Sequence, residues 1–227
     1  RDLIKMAEEN AGEAMRMMKA QYEADSVKQE EALSELQAEL GLPRVPNRIE
    51  CYDISTTQGT AIVASRVLFL RGVPRKSEYR KFNSRTVMHQ GSDDYQSMRE
   101  ALTRRFKRYV DAVENPESAA PGKQDRNETW RLLPDLLLID GGKGQLNVAV
   151  EVLEAFELMD KVPVASLAKQ HEELFQPGKD FSLRLPRNSP ALYLVQRVRD
   201  EAHRFAITSH RKQRTRMGMA SRLETVP

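Results

Sequence analysis

Two aspartates and one histidine are the residues of this sequence best suited to chemistry. Asp140 ends the apolar run Leu136-Leu137-Leu138-Ile139 and is followed by Gly141-Gly142-Lys143-Gly144-Gln145. An acid at the C-terminal end of a central strand, facing a Gly-rich strand-to-helix turn, stands where open α/β sheets place ligands and catalysis. Asp53 lies near the end of a second strand-like stretch, and His203 closes Asp200-Glu201-Ala202-His203 in the last helical segment. Two carboxylates brought together in a cleft repel unless a cation sits between them, so such a pair makes a site rather than a core feature. A divalent ion on oxygen and imidazole ligands activates water and neutralises charge developing on a phosphate. A histidine beside it takes the proton of the attacking water, or orients that water, near neutral pH. Taken singly, each has an ordinary reading: a turn aspartate capping the next helix, a helical histidine satisfied in the core or solvated. Only a fold that gathers them changes that reading.

The elements that would gather them can be read in chain order. Residues 1–42 form a helical lead-in, with Leu3, Met6, Ala7, Ala11, Ala14, Met15 and Met18 at three- and four-residue steps, stopped by Gly41-Leu42-Pro43. Residues 43–227 form the main domain. Its strands are Arg48 to Ser55, Thr60 to Leu70 and Lys76 to Asn83, an antiparallel meander. A helix from Tyr95 to Val110 follows, opened by Ser92-Asp93-Asp94 and basic at its far end through Arg104, Arg105, Lys107 and Arg108, as helix C-termini prefer. Residues 115–129 are polar and aperiodic, a loop. The buried strand at Leu136 to Ile139, its helix, and a strand at Val162 to Leu167 come next. A hairpin spans Glu173 to Leu185, and Ser189-Pro190 starts the last helix with cap and N1 proline in their favoured places. This β-β-β-α-β-α-β-hairpin-α order builds a mixed five-stranded sheet flanked by helices, the ribonuclease-H-like arrangement, in which the first and fourth strands lie side by side.

Composition narrows the partners. The chain has 227 residues, 30% charged and 40% hydrophobic, with net charge +3, so bulk charge argues weakly for nucleic acid. Its distribution argues better: Arg197, Arg199, Arg204, Arg211, Lys212, Arg214, Arg216 and Arg222 form a basic tail suited to a polyanion. Cys51 is the one cysteine, which excludes an internal disulfide and Cys-rich zinc sites and fits a reducing cytoplasm. No stretch has the length and apolarity of a membrane span or a signal peptide. Two lookalikes fail. Asp200 to His203 spells a helicase acidic box, but no G-x-x-x-x-G-K-[ST] loop exists to hold a nucleotide, and Gln145 stands where a phosphate loop needs Ser or Thr. A nucleotide cofactor is therefore not expected.

Six blocks in order carry a family resemblance: Asp53-Ile54-Ser55, Glu78-Tyr79-Arg80-Lys81-Phe82-Asn83, Asp93-Asp94-Tyr95, Leu138-Ile139-Asp140-Gly141-Gly142-Lys143-Gly144-Gln145, Ala168-Lys169, and Arg199-Asp200-Glu201-Ala202-His203 with His210-Arg211-Lys212. From about Met6 to its end the chain resembles the C-terminal endonuclease half of UvrC, the incision subunit of bacterial nucleotide excision repair. The resemblance implies a ribonuclease-H-like domain that nicks damaged double-stranded DNA on the 5′ side of a lesion, in the bacterial cytoplasm and within the SOS response. It implies Mg²⁺ or Mn²⁺ as cofactor and catalytic roles for Asp53, Asp140 and His203, all three holding the metal. It adds Asp94, a metal-supporting carboxylate or simply the cap of its helix. It also implies a UvrB partner, recognised through a motif that this chain lacks, and helix-hairpin-helix DNA-binding motifs beyond Pro227. DNA phosphates would be met by Arg80, Lys81, Lys143, Lys169, Arg211 and Lys212, of which Lys143 and Lys169 follow strand ends on the aspartate edge. The competing reading is a non-catalytic DNA-binding or scaffolding domain on the same core.

Overall fold

The N-terminal helix, α1 (Asp2–Leu40), is anchored by its last turns. Ala32, Leu33, Leu36 and Leu40 recur at helical spacing and are buried, whereas Met15, Met17, Met18 and Val27 upstream are exposed. The helix stops in a Schellman motif: Gly41 takes φ +64°, its N–H donates to Ala38 O, and the Leu42 N–H donates to Gln37 O. In this computed structural model the described residues are 2–57, 61–83, 93–114, 129–168 and 172–223.

The sheet is mixed and has seven strands. β1 (Arg48–Thr57) pairs antiparallel with β2 (Ala61–Leu70) and parallel with β5 (Leu136–Asp140). β5 pairs parallel with β6 (Val164–Ala168), which pairs antiparallel with β7 (Glu173–Phe175). The far side of β2 is covered in two pieces, β3 (Val73–Pro74) and β4 (Arg80–Asn83), with a 3₁₀ turn at Lys76–Glu78 between them. The third strand expected from Lys76 to Asn83 starts late, at Arg80, because Lys76–Glu78 take the 3₁₀ turn, and Val73–Pro74, expected as a turn, pair with β2. Pro74 lacks a ladder donor, and proline is confined to sheet edges for that reason. The expected hairpin contributes one short strand, β7, and returns only as a bridge from Leu174 to Leu183. The expected five strands are therefore present, joined by two short edge pieces.

Side-chain alternation along β1 and β5 divides the core in two. Ile49, Cys51, Leu136 and Leu138 point to one face and pack with α1 and with α4 (Pro190–Leu223), while Tyr52, Leu137 and Ile139 point to the other and pack with α2 (Asp93–Glu114) and α3 (Lys143–Ala155). Helix α4 presents Ala191, Leu194, Val195, Val198, Ala202 and Ala206 as its buried stripe. Its N-terminus is capped twice: Ser189 Oγ accepts from the Leu192 N–H, and Glu35 of α1 accepts from the Ala191 N–H. Helix α2 runs on to Glu114, so Arg105 is not a helix-terminal charge as its position suggested. It is fully buried. No helix among the described residues is long and apolar enough to cross a membrane.

Candidate metal centre

The alternation that sends Cys51 and Leu138 towards α4 continues two residues on, to Asp53 and Asp140. The last registered pair of the parallel ladder is Tyr52 with Ile139, so the next step places the two aspartates side by side. Asp140 ends its strand as expected. Asp53 does not: β1 continues to Thr57, and the aspartate reaches the edge because β5 is the shorter strand. Both are buried, at 3% and 5% exposure. His203 follows the fully buried Ala202, on the shoulder of α4's inner stripe, and its side chain is half exposed. Its Nδ1 lies 3.5 Å from Asp53 Oδ2. One ligand atom from each of Asp53, Asp140 and His203 lies within 4.8 Å of the others. Two carboxylate oxygens and an imidazole nitrogen, gathered at the wall of a cleft, are a donor set that fits a divalent cation.

The surrounding field agrees with that placement. Burial first, and then the charges of Asp140 and Asp53, push the Cys51 thiol well above its usual range. The cleft itself is about 310 Å³ and is lined by Asp140, Glu172, Arg199, Asp200 and His203. Glu172 is a carboxylate that sequence reasoning passed over. It sits at φ +54°, both its oxygens accept from Gln196 Nε2 at 2.7 Å, and Arg199 Nη1 approaches to 3.6 Å. Its position just after the strand adjacent to Asp140 was the signal available. Helix α4 is fixed against the sheet by Tyr79, whose hydroxyl donates to Glu201 at 2.9 Å and whose ring meets Phe205 edge-on at 5.1 Å.

The other expected residues separate. Asp94 is exposed in the first turn of α2 and is outside the three-donor cluster, although α2 begins close by: Tyr95 packs so tightly on Gly144 that a Cβ there would meet its hydroxyl at 2.6 Å. Lys81 shares a register row with the cluster, pairing Ser65, which pairs Asp53. Its Nζ lies 5.3 Å from the Phe205 ring of α4, on the aspartate face. Arg80, one residue earlier, faces the opposite way, towards Trp130. Lys143 donates to the Asp180 carbonyl at 3.1 Å. Lys169 lies outside the described residues, and Arg211 and Lys212 fall on α4 beyond the last described side chain.

Comparison with known proteins identifies the family of the chain. The model of the UvrC RNAse H endonuclease domain matches residues 37–207. UvrABC system protein C of Parafrankia sp. (strain EAN1pec) is 43% identical over 241 residues, and that of Mycobacterium marinum 44% over 228. Both alignments cover 100% of this chain but 34% and 35% of those proteins, so the chain spans about a third of their length. Among solved structures, human ENDOV aligns over 80% of this chain and 96% of its own, at 12% identity and a TM-score of 0.42. With residues 37–207 matched end to end, the chain belongs to the UvrC RNase H endonuclease domain family.

Proposed function

We propose that the domain is a divalent-metal-dependent DNA endonuclease that makes the 5′ incision beside a lesion in nucleotide excision repair. The observation that carries this reading is the convergence of Asp53, Asp140 and His203 on one volume of space, from two strands and a helix far apart in sequence. Asp53 and Asp140 would hold Mg²⁺ or Mn²⁺, and His203 would complete the donor set through one ring nitrogen. The bound ion would neutralise charge on the scissile phosphate and lower the cost of ionising water. With the ion held by the two aspartates alone, a ring nitrogen of His203 would instead accept the proton of the attacking water or orient that water. Oxygen from that water bonds to phosphorus as the bond to one strand oxygen breaks, and that oxygen leaves with a proton from solvent. Lys81, on the same face and two strand spacings from Asp53, about 10 Å away, would hold a neighbouring phosphate. A phosphate contact positions a strand without reading bases, which suits a cut beside any lesion. In the longer relatives, regions outside this chain would contribute the contact with UvrB and much of the DNA affinity. The test is conversion of supercoiled plasmid to open circles by this chain with Mn²⁺. Asp53→Asn and Asp140→Asn should each lower the rate by at least about a hundredfold while the fold is retained. Cutting by both variants at the wild-type rate would refute the mechanism.

A further inference from the structure

A second charged basin lies on the opposite face of the same sheet edge. Its volume is about 780 Å³, and Arg75, Ser77, Glu78, Arg80, Arg108, Thr129 and Trp130 line it, Glu78 being its one carboxylate. Trp130, 7% exposed, forms its floor and is surrounded by guanidiniums: Arg66 at 4.7 Å from the ring centre, Arg108 at 4.8 Å, Arg105 at 5.4 Å and Arg80 at 5.8 Å. Two carboxylates answer them. Glu50 is enclosed by Arg66, Arg105 and Arg48, and Glu78 is paired with Arg48 at 2.8 Å. Nothing among the described residues pairs the side chains of Arg75 and Arg108 with an acid. The Nε atoms of Arg48 and Arg66, both buried, also find no acceptor there. Backbone carbonyls take up part of the donor set, those of Glu78 from Arg66, of Ser77 and Tyr79 from Arg80, and of Trp130 and Leu132 from Arg105, so among the described residues the basin's acid-free cations are Arg75 and Arg108. At Arg108 partial desolvation, and then the positive charges of Arg104 and Arg66, lower the guanidinium's affinity for its proton.

We infer that this basin is a binding site for the phosphodiester backbone of DNA, holding a stretch of the substrate that passes from Lys81 over β4 to Arg80, Arg75 and Arg108. The extension rests on the nuclease reading for its connection to the metal centre, but the basin's preference for phosphate does not. β4 makes the link. Its consecutive residues Lys81 and Arg80 face the two sides of the sheet, one beside α4 and the cluster, the other beside Trp130. Arginine forks match phosphate oxygens bidentately, and a rim of arginines over an aromatic floor favours the planar guanidinium over lysine. One duplex strand presents a phosphate about every 3.4 Å of helix axis, so a basin of this size faces several.

Trp130 is the one tryptophan of the chain, so its emission reports on the basin directly. Titrating the chain at low salt with a short duplex oligonucleotide should change that emission saturably. Arg75→Gln/Arg108→Gln replaces two exposed side chains, and should reduce the slope of log affinity against log salt by about 1.8, the value for two lost phosphate contacts. The corresponding lysine pair should recover the salt slope. Lys161→Gln/Arg187→Gln, which removes two exposed cations elsewhere, should leave it unchanged. No saturable change, an unchanged slope in the glutamine pair, or an equal loss in the control pair would overturn the inference. Asp140→Asn separates the two readings: it should abolish plasmid cutting and leave the Trp130 titration intact. If it still cuts while the titration behaves as stated, the nuclease reading fails and the basin stands.

Discussion

Replacing Asp140 by asparagine, with and without Mn²⁺, tests the centre through stability rather than turnover. The side chain is nearly isosteric, so the packing of Leu138 and Leu167 beside it should survive. Charge changes. Asp53 and Asp140 offer oxygens no more than 4.8 Å apart. At an effective dielectric near 20, two unit charges at that separation repel by about 3.5 kcal/mol. A cation between them would relieve that repulsion, so the folded wild type should bind it and the unfolded chain should not. Linkage then stabilises the fold by about 2.7 kcal/mol when Mn²⁺ stands at a hundred times its dissociation constant. For a domain of this size about 1 kcal/mol raises Tm by about 2–4 °C, so saturating Mn²⁺ should raise the wild-type Tm by roughly 5–11 °C. Asp140→Asn removes the repulsion at its source. Its metal-free Tm should match or exceed the wild type's, and Mn²⁺ should move it by less than about 2 °C. Differential scanning fluorimetry over a Mn²⁺ series, with Ca²⁺ as a parallel cation, provides the assay. A wild type indifferent to millimolar Mn²⁺, or a variant stabilised as much as the wild type, would refute the two-carboxylate account.

His203→Ala should retain the fold, because the side chain is half exposed, and should lose about 10²–10⁴-fold in plasmid nicking. Glu50→Gln should destabilise the domain by about 3–5 kcal/mol in urea unfolding, because it strands three guanidiniums around a neutral amide. Burial pushes the Glu50 carboxyl up, but Arg105, Arg66 and Arg48 override it and hold it at about 2 against an ordinary 4.5. This depressed value contributes about 3 kcal/mol of stability that is complete above pH 4.5 and lost as pH falls towards 2; the gap between wild type and Glu50→Gln should narrow across that window. Leu36→Ala, at a fully buried contact between α1 and the domain, should cost about 2–5 kcal/mol in the same unfolding assay, and a loss below about 1 kcal/mol would show that the helix is dispensable to the core.

The parts of the fold that were legible in the sequence are those where local chemistry and tertiary role coincide. Leu136 to Ile139 reads as a strand buried on both faces, and it is one. Ser189-Pro190 reads as a helix start, and Ser189 caps α4 through its hydroxyl. Asp140 at the end of its strand was visible for the same reason. What stayed hidden depended on partners distant in sequence. Arg105 reads as a helix-terminal cation, yet it reaches a carboxylate 55 residues away and two carbonyls, those of Trp130 and Leu132. Glu50 lies within the expected first strand with nothing beside it in sequence to set it apart. A burial of charge that is compensated only in three dimensions leaves no local pattern. Neither does the late start of the third strand, at Arg80 rather than Lys76, because where pairing with β2 begins is a property of the sheet.

Strand β1 carries the two solutions to a buried carboxylate three residues apart. Glu50, on the face towards α2, is met by Arg66 and Arg105 with side chains fully buried, and by Arg48 behind them. Its charge is matched by the protein, and its function is to hold β1, β2 and α2 together. Asp53, on the face towards α4, is met by a second carboxylate and by an imidazole that is charged only when protonated. That arrangement gains nothing for stability over a hydrophobic pair, since burying like charges costs several kcal/mol. It becomes favourable when something cationic or electrophilic enters the cleft. The same sheet thus uses one strand to seal a charge and, a turn of the pleat later, to leave one poised. This contrast within a single strand, more than the presence of acids, is the mark by which the proposed metal centre differs from a structural ion pair.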